Sequence, residues 1–232
     1  MKFTKSLIKG KLIKRYKRFF VDIKIGKETV IAHCPNTGSM KGLLKEGNDV
    51  FLLKHDDPKR KLKYGLEIIK AGKNLVGVNT HMANKIVNHG LTNNLIEELK
   101  NNDTIKSEVF FNKETRFDFL LEKNKNKTFV EVKNVTLFRN TRTAEFPDAV
   151  TLRGSKHLLT LIDAIKKGYK AYLLFLVQIQ NMENFKIASD LDNEYYKNYL
   201  TAKKAGVNFL AYRCKISSKE ICIEKKLKII NE

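Results

Sequence analysis

The segment at residues 105–135 decides the fold, and it consists of IKSEVFF, NKE, TRFDFLL, EKNKNK and TFVEVKNV in succession. Apolar residues occupy alternate positions in the three hydrophobic runs, which is the pattern of strands with one buried face. The breaks at residues 112–114 and 122–127 are polar and short enough for hairpin turns. The segment therefore predicts three consecutive antiparallel strands.

The turns also predict how the three strands pair. We assume that the residues directly before and after each break pair with each other. Glu108 then lies opposite Asp118, and Asp118 lies opposite Glu131. Lys133 follows Glu131 by two residues and shares its face. Like charges paired directly destabilise a sheet, so this acid row requires a cation or a proton. The other face is predicted to be core and comprises Val109, Phe111, Phe117, Phe119, Leu121, Val130 and Val132.

Carboxylates that converge beside one lysine suit Mg²⁺ or Mn²⁺ bound to a phosphodiester. We expect Asp118 and Glu131 to be catalytic metal ligands, with Glu108 as an accessory ligand or supporting acid. Lys133 is the expected group that orients or activates water. The alternative is a solvated strand face on which Arg116 and Glu131, or Glu108 and Lys133, form weak surface ion pairs.

The net charge of +20, from 45 basic and 25 acidic residues, favours a polyanionic partner. DNA is the expected partner and RNA is an open alternative. A membrane surface is not expected, because no basic amphipathic helix is evident. The alternative explanation is a compositional bias toward Lys, Asn and Ile. Such a bias explains why lysine outnumbers arginine better than it explains why basic residues outnumber acidic ones.

Length and cysteine content limit the class of protein. A chain of 232 residues with 42% hydrophobic content supports one large or two small domains with their own cores. Cys34, Cys214 and Cys222 are widely spaced and odd in number, which predicts neither disulfides nor a zinc knuckle. No run of about 18 apolar residues and no secretion signal occur, so we expect a cytoplasmic protein.

Residues 1–80 have the pattern of a small all-β domain. Short apolar runs alternate with Gly-, Pro- and Asn-containing turns, which predicts about five short strands closed into a barrel of the OB type. The candidate strands are residues 11–16, 19–25, 29–34, 49–54, 66–70 and 75–78.

The same segment is the more basic part of the chain, with 19 basic and 7 acidic residues against 26 and 18 in the remainder. Basic groups beside Tyr16 and Phe19 suit a phosphate groove with base stacking, although we expect Phe19 and Phe20 to be barrel core. The candidate nucleic-acid-binding residues here are Lys14, Arg15, Lys17, Arg18, Lys59, Arg60 and Lys61.

The motif HCPNTG at residues 33–38 combines a histidine, a cysteine and turn formers. Neighbouring residues of a strand point to opposite faces, so His33 and Cys34 do not form a nucleophile pair. We expect a turn whose backbone NH groups contact phosphate or the second domain.

Residues 81–232 have a mixed α and β pattern. Helices are predicted at 81–89, closed by Gly90, and at 92–100, capped by Thr92. A polar loop at 136–148 leads to a helix that begins near 149 or 155 and ends near 167, followed by a buried strand at 169–179. This helix is predicted to be a parallel crossover. A helix at 193–205 and strands at 207–215 and 222–230 complete the pattern. Arg153, Lys156 and His157 lie near the start of the crossover helix, where they could reach a bound phosphate.

The resulting αβββαβ order, with RFD at 116–118 and EVK at 131–133, resembles the PD-(D/E)XK restriction-endonuclease-like superfamily. The chain as a whole resembles the sugar fermentation stimulation protein A family. The stretches that carry this resemblance are IKRYKRF at 13–19, HCPNTGSM at 33–40, VNT at 78–80, KSEV at 106–109, FVEVKNVTL at 129–137 and FPDAVTLRGSKH at 146–157.

The resemblance implies an OB-like domain at residues 1–80, a PD-(D/E)XK nuclease-like domain with a mixed sheet at residues 81–232, and DNA binding with little sequence preference. It implies less about catalysis, because the family is known chiefly for DNA-binding proteins proposed to regulate sugar metabolism. From Asp118, Glu131 and Lys133 themselves we expect a metal-dependent nuclease site, since a surface that only binds DNA gains nothing from acids that face it. The alternative is a non-enzymatic DNA-binding regulator of sugar (maltose) metabolism.

Overall fold

Sixteen strands and three α-helices occur in residues 1–230, the part of the chain that the computed structural model describes. The N-terminal strands are β1 (Ile8–Tyr16), β2 (Phe20–Ile25), β3 (Glu28–His33), β4 (Asp49–Lys54), β5 (Tyr64–Ala71) and β6 (Asn74–Gly77). The remaining elements are α1 (Ala83–Thr92), β7 (Thr104–Phe110), β8 (Arg116–Lys123), β9 (Asn126–Val135), β10 (Leu137–Phe138), β11 (Thr143–Phe146), α2 (Leu152–Lys166), β12 (Lys170–Val177), β13 (Asn184–Ile187), α3 (Asn193–Lys204), β14 (Asn208–Ile216), β15 (Ile221–Lys226) and β16 (Lys228–Ile229).

The first five strands close into a barrel. They pair in the order β3, β2, β1, β4, β5, and β3 pairs again with β5 in parallel, which leaves no free edge between them. Alternate side chains of these strands fill the interior, including the fully buried Leu12, Ile23, Val50 and Leu66. The predicted OB-type barrel is confirmed.

Phe19 differs from its prediction as a core residue. Its ring is 41% exposed and stacks on His33, with ring centroids 6.3 Å apart. Lys17 and Arg18 before it have φ of 47° and 61°, so they form a tight left-handed turn that breaks the inward-outward alternation. Phe20, the first residue of β2, is half-buried as the strand resumes.

The second domain is built on a six-stranded mixed sheet in the order β15, β14, β12, β9, β8, β7. β7, β8 and β9 are antiparallel, and β12 lies parallel to β9, with α2 as the crossover between them. The predicted αβββαβ order is confirmed.

The predicted strand registers are also confirmed. β7 and β8 pair as expected on both sides of Glu108 and Asp118, and β8 and β9 pair as expected from Phe119 and Val130 onward. Glu108 has φ of 56°, and the backbone ladder skips this residue and Asp118. The acid row therefore lies at a local irregularity of the sheet.

The prediction of one buried sheet face is wrong, because both faces are covered. Phe117 packs with Phe129 on the side covered by α2, whereas Phe119 and Leu121 pack on the side covered by α1. Simple alternation would place Phe117 and Phe119 together. The irregularity at Asp118 lies between these two residues and interrupts the alternation of side chains along β8, so their rings lie on opposite faces of the sheet.

The helices before the sheet also differ from prediction. Gly90 does not end a helix, since α1 continues to Thr92. A Cβ at Gly90 would lie 2.5 Å from Ile223 Cδ1, so this glycine allows α1 to pack closely on β15. The predicted helix at 92–100 is wrong, because that segment contains only a three-residue 3-10 helix, Glu97–Leu99.

The predicted polar loop at 136–148 contains β10 and β11, which join β13 and β16 in a second sheet of four strands. These strands are two to four residues long, and β11 pairs in parallel with β13, some 40 residues later in the chain. No local alternation marks strands this short.

The turn after β3 contacts the second domain, as expected. Asp148 accepts hydrogen bonds from Ser39 Oγ (3.1 Å) and Met40 N (3.3 Å), and Gly77 N donates to Gln178 O (2.9 Å).

The three cysteines are free thiols. Among residues 1–230, no helix has both the length and the apolar character needed to cross a membrane.

Candidate active site

A cavity of about 1020 Å³ lies where the β7–β8 hairpin, β9, α1 and the start of α2 meet. Its walls bring together the predicted acids and two of the predicted phosphate-binding residues. The lining residues are His81, Asn84, Glu108, Phe110, Glu114, Thr115, Arg116, Asp118, Glu131, Arg153, Lys156 and His157.

Asp118 is held firmly by two donors. Its Oδ2 accepts a hydrogen bond from the backbone N of Val132, and its Oδ1 accepts one from Asn84 Nδ2, both at 2.7 Å. Burial and the negative charge of Glu131 outweigh these bonds and raise the pKa of Asp118 to about 6. The carboxyl therefore changes its charge near pH 6.

Glu131 is the more deeply buried acid, with 3% of its surface exposed. Its Oε1 accepts a hydrogen bond from Lys133 Nζ at 2.8 Å and contacts His157 Nδ1. Burial acts to raise the pKa of Glu131, but the bonds and charges of His157 and Lys133 prevail and lower it. Glu131 is thus a stable anion, and its Oε2 is buried with no hydrogen-bond donor.

Lys133 and His157 form a small polar network around Glu131. Lys133 Nζ lies 3.1 Å from His157 Nδ1, and Arg153 Nε lies 3.4 Å from His157 Nε2. Arg153 and His157 occupy the first two turns of α2, whose N-terminus is capped by Thr151 Oγ1 accepting from Gly154 N at 3.1 Å. The cap fixes the start of the helix and so positions this wall of the cavity.

Glu108 lies further out than the other two acids. Its carboxylate accepts from Asn84 Nδ2 at 3.3 Å and pairs with Arg116 Nε at 2.9 Å. One amide nitrogen, that of Asn84, therefore bridges Glu108 and Asp118. The structure brings the predicted acid row together, with Glu108 as its solvent-exposed end.

The donor set fits a divalent cation through two carboxylates. Within residues 1–230, no group of three or more His, Cys, Asp or Glu side chains is arranged to hold a metal ion, so Glu108 does not complete a three-ligand set. Two observations nevertheless fit a cation at Asp118 and Glu131. Oε2 of Glu131 is buried without a donor, and the charge of Glu131 raises the pKa of Asp118. A cation bound there would give Oε2 of Glu131 a partner and would offset the repulsion between the two carboxylates.

The predicted nucleic-acid-binding residues fall into two groups. Arg153 and Lys156 line the cavity, where Lys156 Nζ lies 3.3 Å from a Glu114 carboxylate oxygen. The others lie on the barrel, and its cationic side chains Lys14, Lys17, Arg18, Lys59 and Lys61 are exposed.

Two arginines of the barrel have structural partners. Arg15 donates to the carbonyls of Arg18 (2.8 Å), Gly38 (3.0 Å) and Asn36 (2.6 Å), so it supports the turn that contacts the second domain. Arg60 Nε donates to Leu62 O at 3.0 Å within its own loop. Both residues remain predictions as DNA contacts, but Arg15 is not a freely removable charge.

Sequence reasoning missed Asn84, His81 and Tyr195. Asn84 lies 34 residues before Asp118, so no local pattern connects the two. The Tyr195 hydroxyl is fully buried with no hydrogen-bond partner. Burial and the charge of Glu131 raise the pKa of Tyr195 well above its ordinary value.

A closed five-stranded OB barrel followed by a restriction-endonuclease-like αβββαβ domain, with acids on the second and third strands, defines the class of protein. Residues 13–78 match the family described as SfsA N-terminal OB domain, and residues 81–220 match the one described as sugar fermentation stimulation protein RE domain. The chain belongs to the sugar fermentation stimulation protein family.

Its relatives align over their whole lengths. The sugar fermentation stimulation protein homolog of Pelagibacter ubique is 78% identical over 231 residues, with all of both chains covered. The homolog of Maricaulis maris is 40% identical, with 99% of this chain and 98% of the relative covered. The structure of Pyrococcus furiosus SfsA in complex with Ca²⁺ has a TM-score of 0.89 at 24% identity, covering 100% of this chain and 98% of that one.

Proposed function

We propose that this protein is a DNA-binding nuclease of low sequence specificity that hydrolyses phosphodiester bonds with Mg²⁺ or Mn²⁺. One observation carries the proposal: the half-buried Asp118 and the buried Glu131 lie close to Lys133, at a cavity whose wall also carries Arg153 and Lys156. Buried acids facing a polyanion would weaken simple DNA binding, because they repel phosphate. Their presence is explained if they hold a cation that attracts phosphate.

Each residue has a defined task in this reaction. Asp118 and Glu131 would hold the cation, which would supply positive charge to the phosphate oxygens and lower the pKa of its bound water. Lys133 orients the attacking water, whose oxygen forms a bond to phosphorus as the P–O bond to the leaving group breaks. The water's proton passes to solvent, and the leaving oxygen regains a proton. Glu108 supports the acid row through Asn84.

The basic side chains supply affinity. Arg153 and Lys156 lie on the cavity wall and would contact the phosphates that flank the cleaved bond. The net charge of +20 supports binding that depends on phosphates rather than on bases. RNA presents the same phosphate chemistry and is tested beside DNA.

The Pyrococcus furiosus relative provides separate support for a cation. That protein was solved in complex with Ca²⁺, an ion that prefers carboxylate oxygens. In this chain, we assign the equivalent task to Asp118 and Glu131 on the basis of their own geometry. The same reasoning predicts that Ca²⁺ competes with Mn²⁺ for this protein.

The alternative function is a non-enzymatic DNA-binding regulator of sugar metabolism. The observation that favours it is the absence, among residues 1–230, of a three-donor metal group. In this case the acid pair would serve only to fix the network of Lys133 and His157. The alternative predicts DNA binding without cleavage.

A cleavage assay separates the two functions. Labelled single-stranded DNA, duplex DNA and RNA are incubated with purified protein in Mg²⁺, in Mn²⁺ and in EDTA. We expect cleavage in the metals and none in EDTA. Asp118→Asn should abolish cleavage while binding DNA at least as tightly, because a repulsive charge is gone. Absence of cleavage in both metals, with metal affinity unchanged in Asp118→Asn, would establish the regulator.

Lys133 requires a second variant, because it also neutralises Glu131 at 2.8 Å. Lys133→Ala removes the charge and the packed alkyl chain, whereas Lys133→Met keeps most of the packing. We expect both variants to lose cleavage while DNA affinity changes by less than about threefold, equivalent to less than 1 kcal/mol. If Lys133→Met cleaves normally, Lys133 is a structural partner of Glu131 and not a catalytic residue.

A further inference from the structure

Phe110 is an exposed aromatic ring on the wall of the acid-lined cavity. Its surface is 69% exposed, and it is the last residue of β7, the strand at the edge of the sheet. The next residue, Phe111, packs its ring against Phe117 and Phe129, with centroids 5.3 Å away in each case. The ring of Phe110 is left outside this cluster, so it is available to contact a ligand in the cavity.

The surroundings of Phe110 suit a nucleotide. The guanidinium carbon of Arg116 lies 5.6 Å from the Phe110 ring centroid, and both residues line the same cavity as Asp118 and Glu131. A ring next to a guanidinium offers a base a stacking surface and its phosphate a charge. Every base has a flat face, so a contact of this kind carries little sequence preference.

A base can stack on Phe110 only if it has left its own stack. Bases inside a duplex are paired and stacked, and extruding one costs a few kcal/mol. Bases of a single strand are free to make this contact. Glu131 is almost fully buried at the base of the cavity, so a flexible strand that enters the cavity meets the acids more readily than a rigid duplex.

We propose that the cavity takes single-stranded nucleic acid, and that a base next to the reacting phosphate stacks on Phe110. This inference rests on the proposed function and names the substrate class of the same site. Phe110 is then the residue that sets the preference for single strands. Arg116 holds the adjacent phosphate by exchanging its ion pair with Glu108.

Fluorescence anisotropy in EDTA tests the inference without cleavage. The probes are a labelled mixed-sequence single strand and a duplex of the same sequence. Phe110→Ala should weaken single-strand binding about 10-fold and change duplex binding by less than about twofold. Phe110→Trp should bind the single strand at least as tightly as wild type. Leu200→Ala, which removes a 45% exposed apolar side chain on α3, is the matched control and should bind both probes as wild type does.

The outcomes are distinguishable. Equal affinity of Phe110→Ala and wild type for the single strand, or an equal loss on both probes, overturns the role of Phe110 and leaves the proposed function standing. If wild-type protein binds neither probe, in EDTA or in Mn²⁺, the proposed function fails, and this inference fails with it. Thermal melts of the three variants establish that each is folded.

Discussion

Asp118, which is half-buried, and Glu131, which is buried, are neighbouring carboxylates with opposite pKa shifts. The pKa of Glu131 is lowered by His157 and Lys133 in spite of burial, whereas burial and Glu131 raise the pKa of Asp118 to about 6. Asp118 has only neutral donors, the backbone N of Val132 and the amide of Asn84. One acid is therefore a fixed anion, and the other changes charge near neutral pH.

The raised pKa of Asp118 predicts a pH-dependent effect of Asp118→Asn on stability in EDTA. The folded protein holds this proton more tightly than the unfolded chain, so the contribution of Asp118 to stability is greatest below about pH 4. This contribution is lost as the pH rises through about 6. Asparagine keeps the shape without the charge. The variant should therefore be more stable than wild type above pH 6, by on the order of 2–3 kcal/mol.

Urea unfolding at pH 4, 6 and 8 measures this difference. It should be small at pH 4, grow through the range to pH 6 and then level off. Asp163→Asn, on the exposed face of α2, is the control and should change stability by less than about 0.5 kcal/mol at each pH. A variant less stable than wild type at pH 8 would show that Asp118 is not a destabilising charge.

At this scale, the sequence predicted the acids and not their surroundings. Turn lengths were sufficient to predict the strand registers that bring Glu108, Asp118 and Glu131 to one cavity, because registers follow from local geometry. Asn84 contacts Asp118 from α1, and Tyr195 lies on α3, both far from the acids in the chain, so no spacing indicated them.

At the scale of elements, α1 depends on one glycine for its position over the sheet. A Cβ at Gly90 would meet Ile223 Cδ1 at 2.5 Å, closer than packed atoms approach. α1 also carries Asn84, the residue that bridges Glu108 and Asp118. The packing of this helix on β15 therefore affects the geometry of the site.

Gly90→Ala should destabilise the protein by about 1–3 kcal/mol, although alanine is the better helix former by about 1 kcal/mol. Ile223→Val removes the Cδ1 atom that causes the clash, so the double variant should be more stable than the sum of the single effects predicts. Urea unfolding of the four proteins in a double-mutant cycle measures the coupling. Additive effects, or a stabilising Gly90→Ala, would contradict this packing role.

Long periodic elements were predictable from the sequence, and short ones were not. β4 was predicted at its observed limits, and α2 within a few residues, because their apolar patterns extend over several residues. The sequence predicts a helix end at Gly90, because a tight helix–strand contact and a C-cap both favour glycine. The four-stranded sheet was missed because its pairings join segments distant in sequence.

At the scale of the whole molecule, the excess of basic over acidic residues is larger in the barrel, whereas the cavity acids Glu108, Asp118 and Glu131 lie in the second domain. The two domains are joined by Asp148, which holds Ser39 and Met40, and by the bond from Gly77 to Gln178. Arg15 supports the same turn from the barrel side. Barrel and cavity are thereby held in a fixed arrangement relative to each other.

The basic turn of the barrel is predicted to contribute to salt-dependent DNA binding. Lys14→Gln, Lys17→Gln and Arg18→Gln together should reduce the slope of log affinity against log salt by about 2–3. Arg15 is left unchanged, because its loss would disturb the turn at 36–38. The control removes three α3 lysines, Lys197, Lys203 and Lys204. An equal slope change in both triple variants would show that only net charge matters.

The joint binding of a divalent cation by Asp118 and Glu131 is tested most directly by anomalous scattering from crystals of the wild-type protein grown with Mn²⁺. We predict one strong anomalous peak in contact with a carboxylate oxygen of each residue, and no peak there in crystals of Asp118→Asn. Glu131 Oε2, buried without a donor, should be one of the contacting atoms. A map with no peak between the two carboxylates, at Mn²⁺ concentrations that saturate binding in solution, would contradict the proposed metal site.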